Sequence, residues 1–426
     1  MVLLCSSCAF PSHGAAIVCA TCGELLEFAL DAATLNAGDL RRRFAERRLS
    51  NAPLDSSGVW RFRELLPAVP PGSVVTLREN APPLLALGAS GAAHGGHARA
   101  AYLHLGANPT ASFKDAGMTV AISNAAARGA RAAICASTGN TAAAMAAYAA
   151  RAGMAAVVLV PAVGVSEAKM AQTLDYGAHV VAIDGDFDRA LRIVRAIDPE
   201  RIAIVNSVNP YRIEGQKCAA LAMLEARDWR APDWVVLPGG NLGNTTAFGK
   251  GLREALALKL IDRLPRIATV QAAGAAPFVA AFESGRDLVP VTAETTATAI
   301  KIGAPASWKK ALAEIRQARG VVVAVTDAEI ADARAAIGRD GIGCEPASAA
   351  SLAGLRRLRD GGTIAPHDDV VLVLTGHVLK DTAYAARYHA SHARYANAIE
   401  HASGEAELAA VLERLTAGPA RVTAPS

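Results

Sequence analysis

The chain has 426 residues, 52% of them apolar and 19% charged, a balance that suits a large buried core and excludes a disordered polymer. Lys and Arg total 43 against 39 Asp and Glu, a net charge of +4, too even to point to a nucleic-acid partner. No apolar run approaches ~20 residues, so no membrane partner is expected, and the length suggests about three domains, or two with an appendage.

The cysteines come first. Cys5-x-x-Cys8 and Cys19-x-x-Cys22 form two knuckles ten residues apart, a spacing suited to a tetrahedral thiolate zinc site. The alternative is a relic ribbon that folds without metal. Met1-Val2-Leu3-Leu4 runs straight into Cys5, leaving no room for a signal peptide, so a cytoplasmic home with reduced thiols is expected. Cys135, Cys218 and Cys344 stand alone in apolar surroundings and are expected to fill core space.

Residues 29 to about 57 are polar, with Arg41-Arg42-Arg43 and Arg47-Arg48 on a helix with a solvated face, then a loop at Ser50–Pro53. Residues 74–105 hold short apolar runs and a Gly-rich stretch, Gly88 to Gly96, read as a mobile surface loop carrying His94, with His97 just beyond. Asn108-Pro109-Thr110-Ala111-Ser112-Phe113-Lys114-Asp115 follows, a turn leading into a helical run from Ala116 to Arg128, with Thr or Ser available as a cap. From Ala132 the pattern is strand, turn, helix, repeated. Strands are expected at Ala132–Ala136, Ala156–Val160, Val180–Ile183 and Ile202–Val205, with helices at Asn140–Arg151, Ser166–Leu174 and Phe187–Ile197 between them. A second set follows: helix Ile213–Ala226, strand Trp234–Leu237, helix Thr245–Leu258 and strand Ile267–Gln271, then strand Val321–Val325, helices Asp327–Ile337 and Ala347–Leu358, and strand Val370–Leu374. Continuous Val, Ile, Leu and Ala runs fit parallel strands covered on both faces. The tail has helical spacing around Glu405–Leu415 and ends in a loose Pro-containing segment.

Four stretches carry chemistry. A lysine at a helix start is disfavoured by the helix dipole, so Lys114 needs another reason, and a Schiff base with a carbonyl cofactor is one. Leu237–Thr245 places Gly239, Gly240 and Gly243 between a strand and a helix, where backbone N–H groups can hold a phosphate. No Gly-Lys-Ser/Thr follows, and Gly-x-Gly-x-x-Gly does not fit, which argues against a nicotinamide oxidoreductase. Ser137-Thr138-Gly139-Asn140-Thr141 is a polar cluster at another helix start, suited to an anion or otherwise a plain capped turn. In Asn206–Lys217, Arg212 offers a bidentate fork for an oxyanion, with Asn206 and Ser207 as neutral donors; otherwise it is a turn with a surface Arg. Thr375-Gly376 ends a strand, where parallel sheets bind ligands.

The Ser-Phe-Lys-Asp segment resembles that of pyridoxal-phosphate enzymes of the tryptophan-synthase β-subunit class. Within the class the chain is most similar to threonine synthases, over about Gly58 to Asp381. Gly58–Pro67, the Gly239–Asn244 loop, Asn206-Ser207 with Arg212, and Thr375-Gly376 occur in the family's order. The resemblance implies the two-lobed α/β fold type II, parallel sheets flanked by helices, with a small zinc-ribbon-like segment in front. The expected division is a ribbon over 1–28, an extension over 29–73, a large cofactor-binding lobe over 74–130 and 205–395, a small α/β lobe over 131–204, and a tail over 396–426. It also implies that Lys114 holds pyridoxal phosphate. Gly240, Asn241, Leu242, Gly243 and Asn244 would bind its phosphate, Asn140 its 3′-oxygen and Thr375 its pyridine nitrogen. Ser137, Thr138 and Thr141 would face the substrate, and Asn206, Ser207 and Arg212 would hold the phosphate of O-phospho-L-homoserine. A homodimer acting on this small phosphorylated amino acid, to give L-threonine and phosphate, is the expectation.

The stretches Thr295–Ile300 and Glu345–Ala350 are also similar to the family and are read as mostly structural. The departures cluster before and around the lysine: Arg78–Leu84, Leu103-His104-Leu105, Ala111 in place of a glycine, and Ala116 in place of an arginine. They keep two other readings open. One is a cysteate-synthase-like or other replacement or elimination on a phosphorylated amino acid. The other is a non-catalytic paralogue.

Overall fold

A computed structural model describes residues 1–416 apart from 98, 163–166, 186, 392 and 398. The first residue of the helix expected at Ser166 and the Pro-containing end of the tail lie outside the described residues.

The first strands, β1 (Val2–Cys5), β2 (Pro11–Ser12) and β3 (Leu26–Ala29), form an antiparallel ribbon in the order β2-β1-β3. Helix α1 (Ala37–Arg48) then packs Leu40 and Phe44 against Trp60, Phe62 and Leu65 on one face of the larger sheet. The indole N–H of Trp60 donates to Thr119 Oγ1 at 2.8 Å, so its polar edge is paired as the ring is buried.

The larger sheet has six strands: β4 (Leu84–Ala86), β5 (Ala100–His104), β10 (Trp234–Pro238), β11 (Arg266–Ala272), β12 (Val321–Val325) and β13 (Val370–Leu374). Their order is β12-β11-β10-β13-β5-β4, parallel throughout except for the edge strand β4. The smaller sheet, β8-β7-β6-β9, is all parallel and comprises β6 (Ala132–Ala136), β7 (Ala155–Pro161), β8 (His179–Ile183) and β9 (Ala203–Ile204). Each sheet has an apolar cluster on both faces, which is what its unbroken Val/Ile/Leu/Ala strands require.

The crossover helices include α3 (Lys114–Ala127), α4 (Asn140–Arg151), α5 (Glu167–Asp175), α6 (Phe187–Arg195), α7 (Pro210–Glu225) and α8 (Gly243–Ala257). Further along come α9 (Pro277–Ser284), α10 (Trp308–Gln317), α11 (Asp327–Arg339), α12 (Pro346–Asp360), α13 (Thr382–His389) and α14 (Glu405–Thr416). Helices α3 and α7 touch backbone to backbone. A Cβ on Gly215 would lie 1.9 Å from the Ala116 carbonyl oxygen, and one on Gly117 would lie 2.8 Å from that of Arg212. Only glycine permits this approach, and it fixes Lys114 and Arg212 relative to each other.

One expectation is corrected. Gly88 to Gly96 is not a mobile surface loop, because Ala89–Gly95 is a helix, α2, docked by the Asp340 carboxylate, which accepts from the N–H groups of Gly88, Ser90 and Gly91. His94 and His97 are buried: His94 Nδ1 pairs with the Tyr395 hydroxyl at 3.3 Å and His97 Nε2 with the Asp368 carbonyl at 2.8 Å. The glycines were read as flexibility; they instead allow close packing of a short helix. No helix among the described residues is long and apolar enough to cross a membrane.

Candidate active site

The C-terminal ends of β6, β7, β10 and β13 open on a cavity of about 600 Å³ between the two sheets. Ligands bind at these ends in parallel sheets, because helix N-termini converge there.

Lys114 is the first residue of α3, reached from β5 through a tight turn. Phe113 occupies the N-cap position and makes no side-chain bond there, while Ser112 Oγ, one residue earlier, accepts from the Lys114 N–H at 3.4 Å. The turn is held by Asp115, whose carboxylate accepts from the Thr110 N–H at 2.7 Å and from the Thr110 hydroxyl. Burial raises the Asp115 pKa to about 7, and the Thr110 bonds oppose the rise. Ala111 adopts φ 64°, in the left-handed region that an L-residue enters at a cost of roughly 1–2 kcal/mol and glycine enters freely. Lys114 Nζ lies 4.2 Å from the Phe113 ring centroid and has no hydrogen-bonding partner among the described residues. Burial and then the nearby Arg212 charge lower its pKa to about 7, against the pull of Glu345. The amine is therefore substantially neutral, and nucleophilic, near neutral pH.

Residues 239–244 form the turn from β10 into α8. Leu242 is in the left-handed conformation at the N-cap and supplies no side-chain cap, so the first N–H groups of α8 face the cavity unpaired by a cap. Both amide atoms of Asn244 are buried without a partner. At Gly240 a Cβ would press to 3.2 Å from the Ala299 carbonyl oxygen and from Ile300 Cα. Asn241 ties the loop in place, its amide donating to Ser207 Oγ and accepting from the Ala306 N–H. An open helix N-terminus, a glycine-narrowed turn and an orphaned amide fit a phosphate ester. With an unpartnered lysine of lowered pKa in the same cavity, the residues present fit pyridoxal phosphate.

Ser137, Thr138, Asn140 and Thr141 line the opposite wall at the start of α4. Asn140 Nδ2 donates to Glu345 Oε2 at 3.0 Å, and Thr375 Oγ1 donates to Glu345 Oε1 at 3.2 Å and pairs with Ser348 Oγ at 2.9 Å. Ser348 Oγ also accepts from the N–H groups of Thr375 and Gly376, which fixes the Thr375 hydroxyl at the end of β13. Burial raises the Glu345 pKa, while the Asn140 and Thr375 bonds lower it.

Arg212 is fully buried and lines the same cavity. Its Nη1 donates to the Val205 carbonyl at 3.2 Å, whereas Nε and Nη2 have no partner. Burial lowers its pKa to about 10, which leaves it charged at neutral pH. A buried cation with two unpaired donors calls for an anion. Ser207 is beside it in the wall. Asn206 is there too, but both ends of its amide are paired with the Ala136 backbone, at 3.2 and 3.0 Å. Asn206 therefore splices the end of β6 to the wall, which engages its amide oxygen and one N–H and leaves the second N–H as a donor.

The cavity brings together every residue expected of it, from Lys114 to Thr375, and leaves the four N-terminal cysteines outside. It adds residues that the sequence reading passed over. Glu345, read as mostly structural, touches both Asn140 and Thr375. A Glu-Pro pair opening a helix was the available signal, since a carboxylate there is favoured by the dipole. Lys380 and Gln172 also line the cavity and are bonded to each other across it, with Gln172 Nε2 donating to the Thr110 carbonyl at 3.3 Å. At the ribbon, the sulfurs of Cys5, Cys8, Cys19 and Cys22 all lie within 4.8 Å of one another.

The family model of pyridoxal-phosphate dependent enzymes matches residues 75–376. A threonine synthase of Methanosarcina acetivorans is 42% identical over 367 residues, covering 85% of this chain and 87% of that protein. One of Synechocystis sp. is 47% identical over 337 residues, covering 77% and 86%. The solved structure of threonine synthase from Escherichia coli superposes with a TM-score of 0.65 at 19% identity, covering 96% of this chain and 94% of that one, a likeness of fold. With a half-buried lysine of lowered pKa facing an open phosphate cradle and relatives this close along most of its length, the chain belongs to the pyridoxal-phosphate dependent enzymes and, within them, to the threonine synthase family.

Proposed function

We propose that the chain converts O-phospho-L-homoserine and water to L-threonine and phosphate. The observation that carries this reading is the second anion site: a fully buried arginine with two unpaired donors, in one cavity with a separate backbone cradle. A bound cofactor is well held by backbone donors, whereas a phosphate that enters, is cleaved and leaves suits a side-chain clamp.

Bound in the 239–244 cradle, pyridoxal phosphate supplies an electron sink for the substrate's amine-bearing carbon. Lys114 would hold it and would serve as the base that removes the α-proton of the substrate, a role its lowered pKa allows near neutral pH. Arg212 and Ser207 orient the substrate phosphate so that it leaves from the γ-carbon after a proton is lost at the β-carbon. Lys114 then moves protons as water adds at the β-carbon. Thr375, held by Ser348, presents a neutral hydroxyl to the pyridine nitrogen. Asn140 addresses the 3′-oxygen, and Glu345 orients both. Ser137, Thr138 and Thr141 receive the substrate carboxylate with the N-terminus of α4 behind them. The purified protein should release phosphate from O-phospho-L-homoserine with matching threonine formation. Phosphoserine turned over faster would identify a replacement enzyme of the cysteate-synthase type, and no turnover of either, with threonine also inert, a non-catalytic paralogue.

The four cysteines are proposed to hold one zinc ion, since a cluster of four thiols is the donor set of a closed structural site. Protein prepared with zinc in the medium is expected to contain about one equivalent, because ribbons this small fold with their metal. Metal-free protein with an ordered N-terminus would favour the relic ribbon. A homodimer is expected, to be checked by light scattering.

A further inference from the structure

The ribbon does not hang free of the catalytic body. It touches both sheets' lobes on either side of one crossing segment. Towards the smaller sheet, Ile17 is buried with Ile134, Leu159, Ile204 and Val208. The Ala15 N–H donates to Glu200 Oε1 at 3.0 Å. Towards the larger sheet, buried Lys310 donates to the Leu26 carbonyl at 3.0 Å, and Lys250, also buried, donates to the Phe28 carbonyl. The Phe28 ring packs edge-on against Tyr211 with centroids 4.8 Å apart.

These contacts bracket a short stretch of chain. Ile204 ends β9 of the smaller sheet, Val208 lies in the link, and Tyr211 is in the first turn of α7 in the larger lobe. The link between them carries Ser207, and Arg212 follows Tyr211 directly. Of the ribbon's cysteines, Cys5 and Cys19 sit in its own small core with Leu3, Leu26 and Phe28, while Cys8 and Cys22 are exposed. That core has five buried side chains, too few to fix a ribbon without a cross-link. Lys250 also pairs with Glu214 at 2.7 Å, so the ribbon's last strand and the helix of Arg212 share one buried ion cluster.

We propose that the Cys5–Cys8–Cys19–Cys22 ribbon, closed by a thiolate-binding divalent cation such as zinc, is a clasp over the crossing between the lobes and positions Ser207 and Arg212 for phosphate. The inference rests on the anion assignment above and adds a structural metal that acts on it from outside the cavity. The metal touches no reacting atom; its removal loosens the crossing and leaves Lys114 and the 239–244 cradle as they were.

The test uses the full-length holoenzyme, a Cys8→Ser/Cys22→Ser double variant, and Ile17→Ala, which keeps the metal ligands but withdraws the ribbon's side chain from the apolar cluster that includes Ile204 and Val208. Metal content, peptide-resolved hydrogen exchange and calorimetric titration with inorganic phosphate are read on each. The double variant should lose the metal, exchange residues 203–212 about tenfold faster while 114–127 stay unchanged, and bind phosphate several-fold more weakly. Ile17→Ala should keep the metal and show the same faster exchange over 203–212. Unchanged exchange at 203–212 in metal-free protein, or in Ile17→Ala, overturns the clasp. Equal loosening over 114–127 overturns it as well, because the effect would then be global. Parent protein that binds no phosphate refutes the anion assignment alone, and the exchange pattern still decides the clasp.

Discussion

Lys114→Ala is expected to fold and to lose turnover by about 10⁴-fold or more, because one group both anchors the cofactor and moves the substrate proton. Borohydride treatment of the parent holoenzyme should fix the pyridoxyl group to the Lys114 peptide, and the variant should yield no labelled peptide. Label on another lysine, or an active variant, would show that the central residue has been misassigned. The amine also sets a pH dependence. Its folded pKa is lowered from 10.5 to about 7, so it is protonated below that value and neutral above it. Capture of added pyridoxal phosphate by apoprotein should therefore accelerate as pH rises through about 7 and then level off. The same shift means that between about 7 and 10.5 the unfolded chain binds more protons at this site than the folded one. Apoprotein stability should rise with pH across that window, in so far as Lys114 contributes. Cofactor capture that kept accelerating to pH 10 would mean an amine with an ordinary pKa.

Arg212→Ala should lower kcat/KM for O-phospho-L-homoserine by ten- to a hundred-fold or so, the equivalent of a charge-assisted pair worth roughly 1.5–3 kcal/mol. Cofactor content should stay near normal, because the cofactor phosphate is assigned to the backbone cradle at 239–244. Arg212→Lys should recover part of the loss: it restores charge but lacks the planar fork that bonds the Val205 carbonyl through one nitrogen and aims two others elsewhere. Inorganic phosphate should compete with substrate in the parent and much less in the alanine variant. A variant that lost its cofactor, or kept full activity, would show that the wrong anion has been given to this residue.

Much of this site was legible before any coordinates. Alternating apolar runs and turns gave the parallel strands, and the positions between strand and helix gave the ligand-bearing loops, since both depend on local pattern. What stayed hidden depends on contacts distant in sequence. The Gly88–Gly96 stretch looked like a loop because glycine disfavours helix, yet Asp340, some 250 positions away, supplies the docking that outweighs that preference. The pairing of Asn206 with the backbone of Ala136, 70 positions away, was likewise invisible. Glu345 gave no hint that Asn140, from the other sheet, would reach it. The strands β4 and β5 and the helices α9, α10 and α13 were not anticipated, their patterns being short or interrupted.

The meeting of α3 and α7 has a further consequence. Where two backbones touch at Gly117 and Gly215, the spacing between Lys114 and Arg212 is set by two absent methyl groups. Neither glycine lines the cavity, yet a single added carbon at either would act as a shim and shift Lys114 from Arg212 by roughly a fraction of an ångström to an ångström, a misplacement large enough to slow chemistry. The length of substrate this enzyme accepts is thus encoded partly in a helix contact behind the cavity wall. Changes of substrate in related chains should be sought there as well as among the residues that line the cleft.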